Sequence, residues 1–159
     1  MSGVHFEKER RINDSAEHVY QYIANYREHH PNFLPSIFSD LCVERGGFGA
    51  GTAFNIQVTV AGRKQTMRME VTEPEPGRVI MERDVETGTV TTFTVTPQGD
   101  TASNVLIHTV LQTPGGITGW LQRLFLPRLL GKMYVEELEN LDRYARANAQ
   151  KSITLAPDV

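Results

Sequence analysis

Three consecutive charged residues, Glu82, Arg83 and Asp84, lie inside a run of β-type residues. Because side chains alternate along a strand, Glu82 and Asp84 share one face and Arg83 lies on the other, so one set must approach the interior. Burying a charge is unfavourable unless the charge is paired or used in chemistry. An inward Glu82 could act as a base, and an inward Arg83 could bind a ligand carboxylate or enolate. The alternative is that all three lie at the open end of the sheet, in water.

His108 is the histidine best placed for proton transfer, because it lies in the middle of a predicted strand. If it faced inward, desolvation would lower its pKa and suit it to chemistry near neutral pH. Alternation favours the outward orientation, since Ile107 and Leu111 belong to the stronger apolar face. We therefore name His108, Glu82 and Arg83 as candidate catalytic residues and identify no nucleophile.

Two other patterns could bind a metal or a phosphate, and both have simpler interpretations. His29 and His30 are adjacent, so on a helix they diverge by about 100° and do not easily share an ion. The single cysteine, Cys42, removes the usual thiolate clusters. The glycine-rich segment 46–51 leads into a strand, whereas phosphate loops lead into a helix, so we predict a tight turn. We predict neither a metal nor a cofactor.

Length and composition indicate a single globular domain. The chain has 159 residues, of which 40% are hydrophobic and 22% charged, close to the globular average. The formal net charge of -3 provides no basic surface for nucleic acid. The lone cysteine forms no internal disulfide and the N-terminus has no apolar signal segment, so we expect a cytoplasmic protein. We assign residues 1–150 to the domain and expect 151–159 to be a flexible tail.

Hydrophobic periodicity predicts an α+β fold. A strand at 4–12 precedes a short helix, and the segment 26–35 holds only a second short helix or a loop because Pro31 and Pro35 interrupt it. Six further strands are predicted at 37–45, 52–60, 65–73, 78–86, 89–97 and 103–113. A helical pattern then lasts to about Asn148, with a kink expected at Pro127.

This order of elements favours one arrangement, in which a curved seven-stranded antiparallel sheet wraps around the long C-terminal helix. Side chains rarely fill the space between a strongly curved sheet and a helix completely, so an apolar cavity is expected there. The residues predicted to line it and to bind a ligand are Phe54, Ile56, Val58, Met67, Met69, Phe93, Val95, Ile107, Trp120, Leu124 and Tyr134.

Several segments carry a resemblance to a known superfamily. They are Ala16–Tyr20, Gly46–Thr52, Glu73–Arg78, Thr92–Pro97 and the C-terminal helix. Across nearly its whole length the chain resembles the SRPBCC superfamily of polyketide cyclases, START-type lipid-transfer domains and birch-pollen-allergen-like proteins, in particular its polyketide-cyclase-like branch. The resemblance implies a helix-grip fold and a ligand cavity. It implies no particular reaction, because the superfamily contains carriers, cyclases and hormone receptors.

The leading interpretation is a protein that binds a small hydrophobic or amphipathic molecule, as a carrier or sensor. Lipids, polyketides and quinones are the candidate ligands, the last because Pro31–Pro35 is similar to a stretch of the coenzyme-Q-binding branch, although Ser36 and Ile37 depart from it. The alternative is a cyclase or aromatase that shuttles a proton through His108, Glu82 or Arg83. A third interpretation is an interaction domain with a collapsed cavity.

The segment Trp120–Met133 is apolar nearly all round a helix, with Arg123, Arg128 and Lys132 as its charges. A helix in one water-facing layer should carry a polar face. Three interpretations stay open: burial, a homodimer contact, and a cavity mouth that touches a membrane surface transiently. The charges and Pro127 exclude a transmembrane span. We expect a monomer or a homodimer.

Overall fold

The protein is represented by a computed structural model that describes residues 3–112 and 117–154, with side chains at 3–112 and 126–151. In chain order the elements are β1 (Gly3–Ile12), α1 (Ala16–Ala24), a 3₁₀ turn (His30–Asn32), β2 (Phe38–Arg45), β3 (Ala53–Val60), β4 (Arg63–Glu75), β5 (Val79–Asp84), β6 (Val90–Pro97), β7 (Ser103–Gln112) and α2 (Ile117–Thr154). The predicted α+β fold, with its seven strands and long last helix, is confirmed. The second short helix is a single 3₁₀ turn that contains Pro31.

The strands form one antiparallel sheet in the order β1-β7-β6-β5-β4-β3-β2. Strands β2 to β7 follow one another as the predicted meander, and β1 pairs with β7 at the far edge. Strand β4 is longer than predicted because it continues through Pro74. The register between β4 and β5 shifts between Thr72 and Glu75, and such an irregularity tolerates a proline that cannot donate to the ladder.

Helix α1 begins at a side-chain cap and buries one face. The Ser15 hydroxyl accepts a hydrogen bond from the backbone amide of His18 (3.3 Å), which satisfies one of the free amides of the first turn. Val19 and Ile23 on its inner face are fully buried against the sheet. The chain then turns at Asn25 and delivers Tyr26, also fully buried, into the core.

Helix α2 packs across the concave face of the sheet through the predicted stripe. Its buried residues include Tyr134, Leu138, Leu141 and Ala145. The helix runs to Thr154, beyond the predicted domain boundary at 150, and residues 155–159 lie outside the described part of the chain.

The first half of α2 contains Pro127, where a kink is predicted, and the apolar segment Trp120–Met133. The helix continues through Pro127, and the kink expected there stays a prediction. Leu130 and Met133 are buried, while Trp120 and Leu124 belong to the residues whose side chains are not described. Within the described residues, no helix has the length and apolarity needed to cross a bilayer.

Candidate functional site

A cavity of about 190 Å³ lies between α2 and the concave face of the sheet. For comparison, roughly 150 Å³ accommodates a benzene-sized molecule. Its described lining residues are His30, Leu34, Ile37, Phe38, Phe54, Ile56, Val58, Val60, Met67, Met69, Glu82, Thr89, Thr91, Phe93, Thr109, Leu111, Leu129, Leu130, Met133, Tyr134 and Glu137. The walls are therefore mainly aliphatic and aromatic, with a few polar groups.

The cavity has a mouth and an inner end. Val60, at the end of β3, lines it and is 40% exposed, so the cavity reaches the surface there. Phe54, at the start of β3, is buried and stacks on Tyr26 with ring centroids 4.9 Å apart. A strand of this length separates the two residues by about 20 Å. On α2 the described lining begins at Leu129 and ends at Glu137, which therefore lies at the inner end.

Most of the predicted lining residues with described side chains do line the cavity. They are Phe54, Ile56, Val58, Met67, Met69, Phe93 and Tyr134, and their contact with a ligand stays a prediction. Val95 and Ile107 are buried but do not line the cavity, although Ile107 is paired with the lining residue Phe93; their contact with a ligand also stays a prediction. The inward-facing residues of β6 and β7 line the cavity only in the half of each strand nearer the mouth. The inward-facing residues of the other half pack in the core. Trp120 and Leu124 lie outside the described side chains.

Two of the three candidate catalytic residues face away from the cavity. His108 lies on the outer face of the sheet, where its Nε2 is 3.2 Å from Nδ1 of His5. Its neighbours Ile107 and Thr109 are buried, as alternation requires. Arg83 is exposed for the same reason, because Glu82 takes the inward position. Neither His108 nor Arg83 lines the cavity, which removes both from cavity chemistry.

Glu82 points into the cavity from β5. It is 8% exposed, and its Oε1 accepts a hydrogen bond from the buried Tyr26 hydroxyl (2.7 Å). Burial raises the pKa of Glu82 to about 7, because desolvation disfavours the carboxylate more than the Tyr26 hydrogen bond favours it. A carboxyl with this pKa exchanges protons readily at neutral pH.

His30 forms the wall beside Glu82 and is fixed in one tautomer. Its Nδ1 lies 2.7 Å from the carbonyl oxygen of Ile23, and since a carbonyl only accepts, Nδ1 carries the proton. Nε2 is then an acceptor, 3.8 Å from Glu82 Oε1. Burial lowers the pKa of His30 to about 4, despite the opposing effect of the Ile23 hydrogen bond. The ring is therefore neutral at pH 7, stacked 4.7 Å from Tyr26.

Glu137 is a second inward carboxyl, and the sequence reasoning missed it. It is 5% exposed, and within the described residues it makes no hydrogen bond. Burial raises its pKa well above the usual value, and the negative charge of Glu82 raises it further. Its spacing was a usable signal: Glu137 follows Tyr134 by three residues and precedes Leu141 by four, so it belongs to the buried stripe.

A row of hydroxyls completes the polar part of the wall. The Tyr134 hydroxyl hydrogen-bonds to Thr109, and Thr109 Oγ1 lies 2.9 Å from Thr91 Oγ1. Burial raises the pKa of Tyr134 to about 12, so this phenol stays neutral. The threonines were also missed, although Thr91 alternates in phase with Phe93 and Thr109 with Ile107.

Residues 3–146 match the family described as polyketide cyclase / dehydrase and lipid transport. The chain belongs to this family. No curated protein matches it. The family assignment agrees with the superfamily resemblance inferred from the sequence.

Solved structures share the helix-grip fold of this family member. The solution structure of the KanY protein (ms6282) is 28% identical, with 92% of this chain and 99% of that chain covered and a TM-score of 0.79. The Zhui aromatase/cyclase from Streptomyces sp. R1128 is 17% identical, with 92% and 96% covered and a TM-score of 0.78. A START superfamily protein from Mycobacterium smegmatis is 14% identical, with 90% and 97% covered and a TM-score of 0.73. The last two likenesses establish the fold alone.

In this family member the glycine-rich segment 46–51 is a structural turn, as predicted. The amides of Gly49 and Gly51 donate to backbone carbonyls at 2.9 and 3.1 Å. The Gly47 amide donates to the Thr52 hydroxyl, and the Ala50 amide donates to Glu73. These amides are used within the protein and do not form a phosphate cradle. Within the described residues, no cluster of three or more His, Cys, Asp or Glu could hold a metal.

Proposed function

We propose that this family member binds a small, mainly apolar molecule inside the cavity and acts as a carrier or sensor. The observation that carries the proposal is the cavity of about 190 Å³ with mainly apolar walls and a mouth at Val60. Apolar walls with a few convergent polar groups are typical of small-molecule sites. Lipids, polyketides and quinone-like molecules are the ligand classes to screen.

Native mass spectrometry of the purified protein tests the proposal first, because a retained ligand adds mass. A thermal-shift screen tests it independently, since a ligand at a hundred times its Kd stabilises a protein by about 2.7 kcal/mol. Val58→Trp places an indole in the cavity and should abolish the shift. Thr59→Trp, on the opposite face of the same strand, is the matched control and should retain it. No retained ligand and no shift with any ligand class would contradict the proposal.

The second candidate is an acid–base enzyme of the cyclase or dehydrase kind, favoured by the two inward carboxyls. Glu82, with its pKa near 7, would act as the general base, and Glu137, whose pKa lies well above its usual range, would act as the acid. The test is turnover of poly-β-keto substrates. The rate should rise with pH through the pKa of Glu82, and Glu82→Gln should abolish that rise. Binding of such substrates without turnover would favour the carrier.

We further propose a cytoplasmic protein, monomeric or homodimeric, whose Trp120–Met133 segment contacts membranes transiently when a ligand is loaded. Leu129 of this segment lines the cavity, so loading from a bilayer would need little transfer through water. Flotation with liposomes at low salt tests the contact, and absence of binding there would contradict it. Light scattering of the purified protein determines the oligomeric state.

A further inference from the structure

We infer that the cavity selects ligands with a cationic head, such as hydrophobic amines, and holds the head between Glu82 and Glu137 with the tail directed toward Val60. The inference rests on the proposed binding function and adds the ligand's chemical class. It is carried by the placement of two carboxyls at the inner end of an apolar cavity.

Glu137 points to a ligand because its carboxyl borders the cavity and has no hydrogen-bond partner among the described residues. The residue is 5% exposed, lines the cavity, and makes no hydrogen bond within the described part of the chain. Apolar walls disfavour the ionised form of a carboxyl that borders the cavity, and a ligand donor that reaches the carboxyl offsets this cost. An ammonium group carries up to three donors and satisfies one or both carboxyls.

Glu82 provides the second acceptor. Tyr26 bonds only to its Oε1, so Oε2 has no partner among the described residues. The titratable or charged groups around the two carboxyls are Tyr20, Tyr26, His30, Tyr134 and Glu136. None of these groups is cationic at neutral pH, since His30 is held neutral by burial.

The charge of the lining distinguishes between ligand heads. The described lining residues include two carboxyls and neither lysine nor arginine. A fatty-acid carboxylate or a phosphate head would therefore meet like charge once Glu82 is ionised, whereas a cation would favour ionisation of Glu82 and Glu137, which disfavour each other's charged forms. Selection of this kind arises as much from rejection of anions as from attraction of cations.

The affinity for a cationic ligand should depend on pH in a characteristic way. A bound cation stabilises the ionised carboxyls, so its binding must release protons in the range where Glu82 titrates. With a pKa near 7, Glu82 is mostly protonated at pH 6 and mostly ionised at pH 8. Amine affinity should therefore rise about tenfold from pH 6 to pH 8, in proportion to the ionised fraction.

The experiment compares three probes with one skeleton: 4-phenylbutylamine, 4-phenylbutanol and 4-phenylbutyrate, titrated by calorimetry and NMR at pH 6 and pH 8. At pH 8 the amine should bind about tenfold more tightly than the alcohol, and the acid more weakly than either. Only the amine should lose affinity at pH 6. Glu137→Gln should abolish the amine preference, whereas Glu139→Gln, an exposed charge on the same helix, should leave it unchanged.

The outcomes separate this inference from the proposed function. Equal affinity for amine and alcohol, or a preference for the acid, would overturn the cationic head and leave binding in the cavity intact. Absence of binding by all three probes, together with a negative lipid and polyketide screen, would contradict the proposed function itself. If Glu137→Gln is unfolded by circular dichroism, Glu82→Gln and the wild-type pH dependence decide the question.

Discussion

Glu82 and Asp84 are both buried on the same face of β5, yet their surroundings differ. Asp84 accepts hydrogen bonds from the Glu86 amide (3.0 Å) and the Thr87 hydroxyl (2.7 Å), and so stabilises the turn after β5. Glu82 has one hydrogen bond, from Tyr26, and faces the cavity. Alternation therefore identifies which acids point inward, and hydrogen-bond partners then distinguish a structural carboxyl from one available to a ligand.

Glu82→Gln should make stability less dependent on pH. In the wild type the folded-state pKa of Glu82 is raised from 4.5 to about 7, so its contribution is complete below pH 4.5 and is lost as pH rises through 7. Relative to the wild type, the variant should gain about 3 kcal/mol between pH 4.5 and pH 8. Urea unfolding at both pH values measures this difference. A constant difference would show that Glu82 titrates normally.

Tyr26→Phe should raise the pKa of Glu82 further, because the lost hydroxyl is the group that favours the carboxylate. A carbon-13 NMR titration of the side-chain carboxyls measures the change. We also expect a loss of about 1–3 kcal/mol in unfolding free energy at pH 8. Tyr22→Phe is the control, since its hydroxyl bonds to Asp14 instead. A lower Glu82 pKa in Tyr26→Phe would contradict the assigned hydrogen bond.

The glycine-rich turn shows how the elements are joined around the site. Glu73 of β4 accepts hydrogen bonds from the Tyr20 hydroxyl of α1 and from the Ala50 amide of the turn (2.9 Å). A Cβ at Gly49 would lie 2.4 Å from Glu73 Oε2, so any larger residue there must displace the Glu73 carboxylate. The turn thus connects α1 to β4 and holds the chain that presents Tyr26.

Gly49→Ala should therefore destabilise the fold more than Gly51→Ala. Both residues have positive φ, +59° and +88°, for which alanine costs about 1–2 kcal/mol. At Gly51 nothing lies within 4 Å of the added Cβ, whereas at Gly49 the methyl displaces Glu73. Chemical denaturation of both variants tests this. Combination with Glu73→Ala should be less than additive, and full additivity would contradict the coupling.

Helices and strands were predictable from the sequence where their hydrophobic periodicity is strong and the apolar face packs in the core. The stripe of α2 and the alternation of β3 pointed to Tyr134 and Phe54, and both residues line the cavity. Polar members of the same stripes were missed, because Glu137 interrupts an apolar pattern and its burial depends on the shape of the cavity. The limit of the cavity along β7, which excludes Ile107, depends on how α1 and α2 fill the core. Periodicity carries no information on that packing.

At the scale of the whole molecule, hydrogen bonds join the residue that follows β1 to helix α2. Asp142 of α2 accepts hydrogen bonds from the backbone amide (2.8 Å) and side-chain amide (3.1 Å) of Asn13. Arg146 lies 3.1 Å from the same carboxylate. Burial alone would raise the pKa of Asp142, but the Asn13 hydrogen bonds and the Arg146 charge lower it overall. The carboxylate thus holds α2 against the sheet.

Asp142→Ala should lower the unfolding free energy by about 2–3 kcal/mol at pH 7, because hydrogen bonds to a charged group are lost. Since the folded-state pKa is lowered, the contribution is present above pH 3.8 and is lost as pH falls through the folded value. The difference from the wild type should therefore shrink at low pH. Asp142→Asn, which keeps an acceptor for Asn13, should cost less. Equal losses in the two variants would contradict this account.

The pairing of β1 with β7 also determines when the sheet and its cavity can form during synthesis. β1 is made first, but its register partners run from Gln112, opposite Gly3, to Ser103, opposite Ile12. Contacts between such distant segments form slowly, and here they form only after the rest of the sheet has left the ribosome. The cavity needs α2 as well. A nascent chain therefore has no closed cavity, and the proposed ligand binding must follow the release of nearly the whole domain.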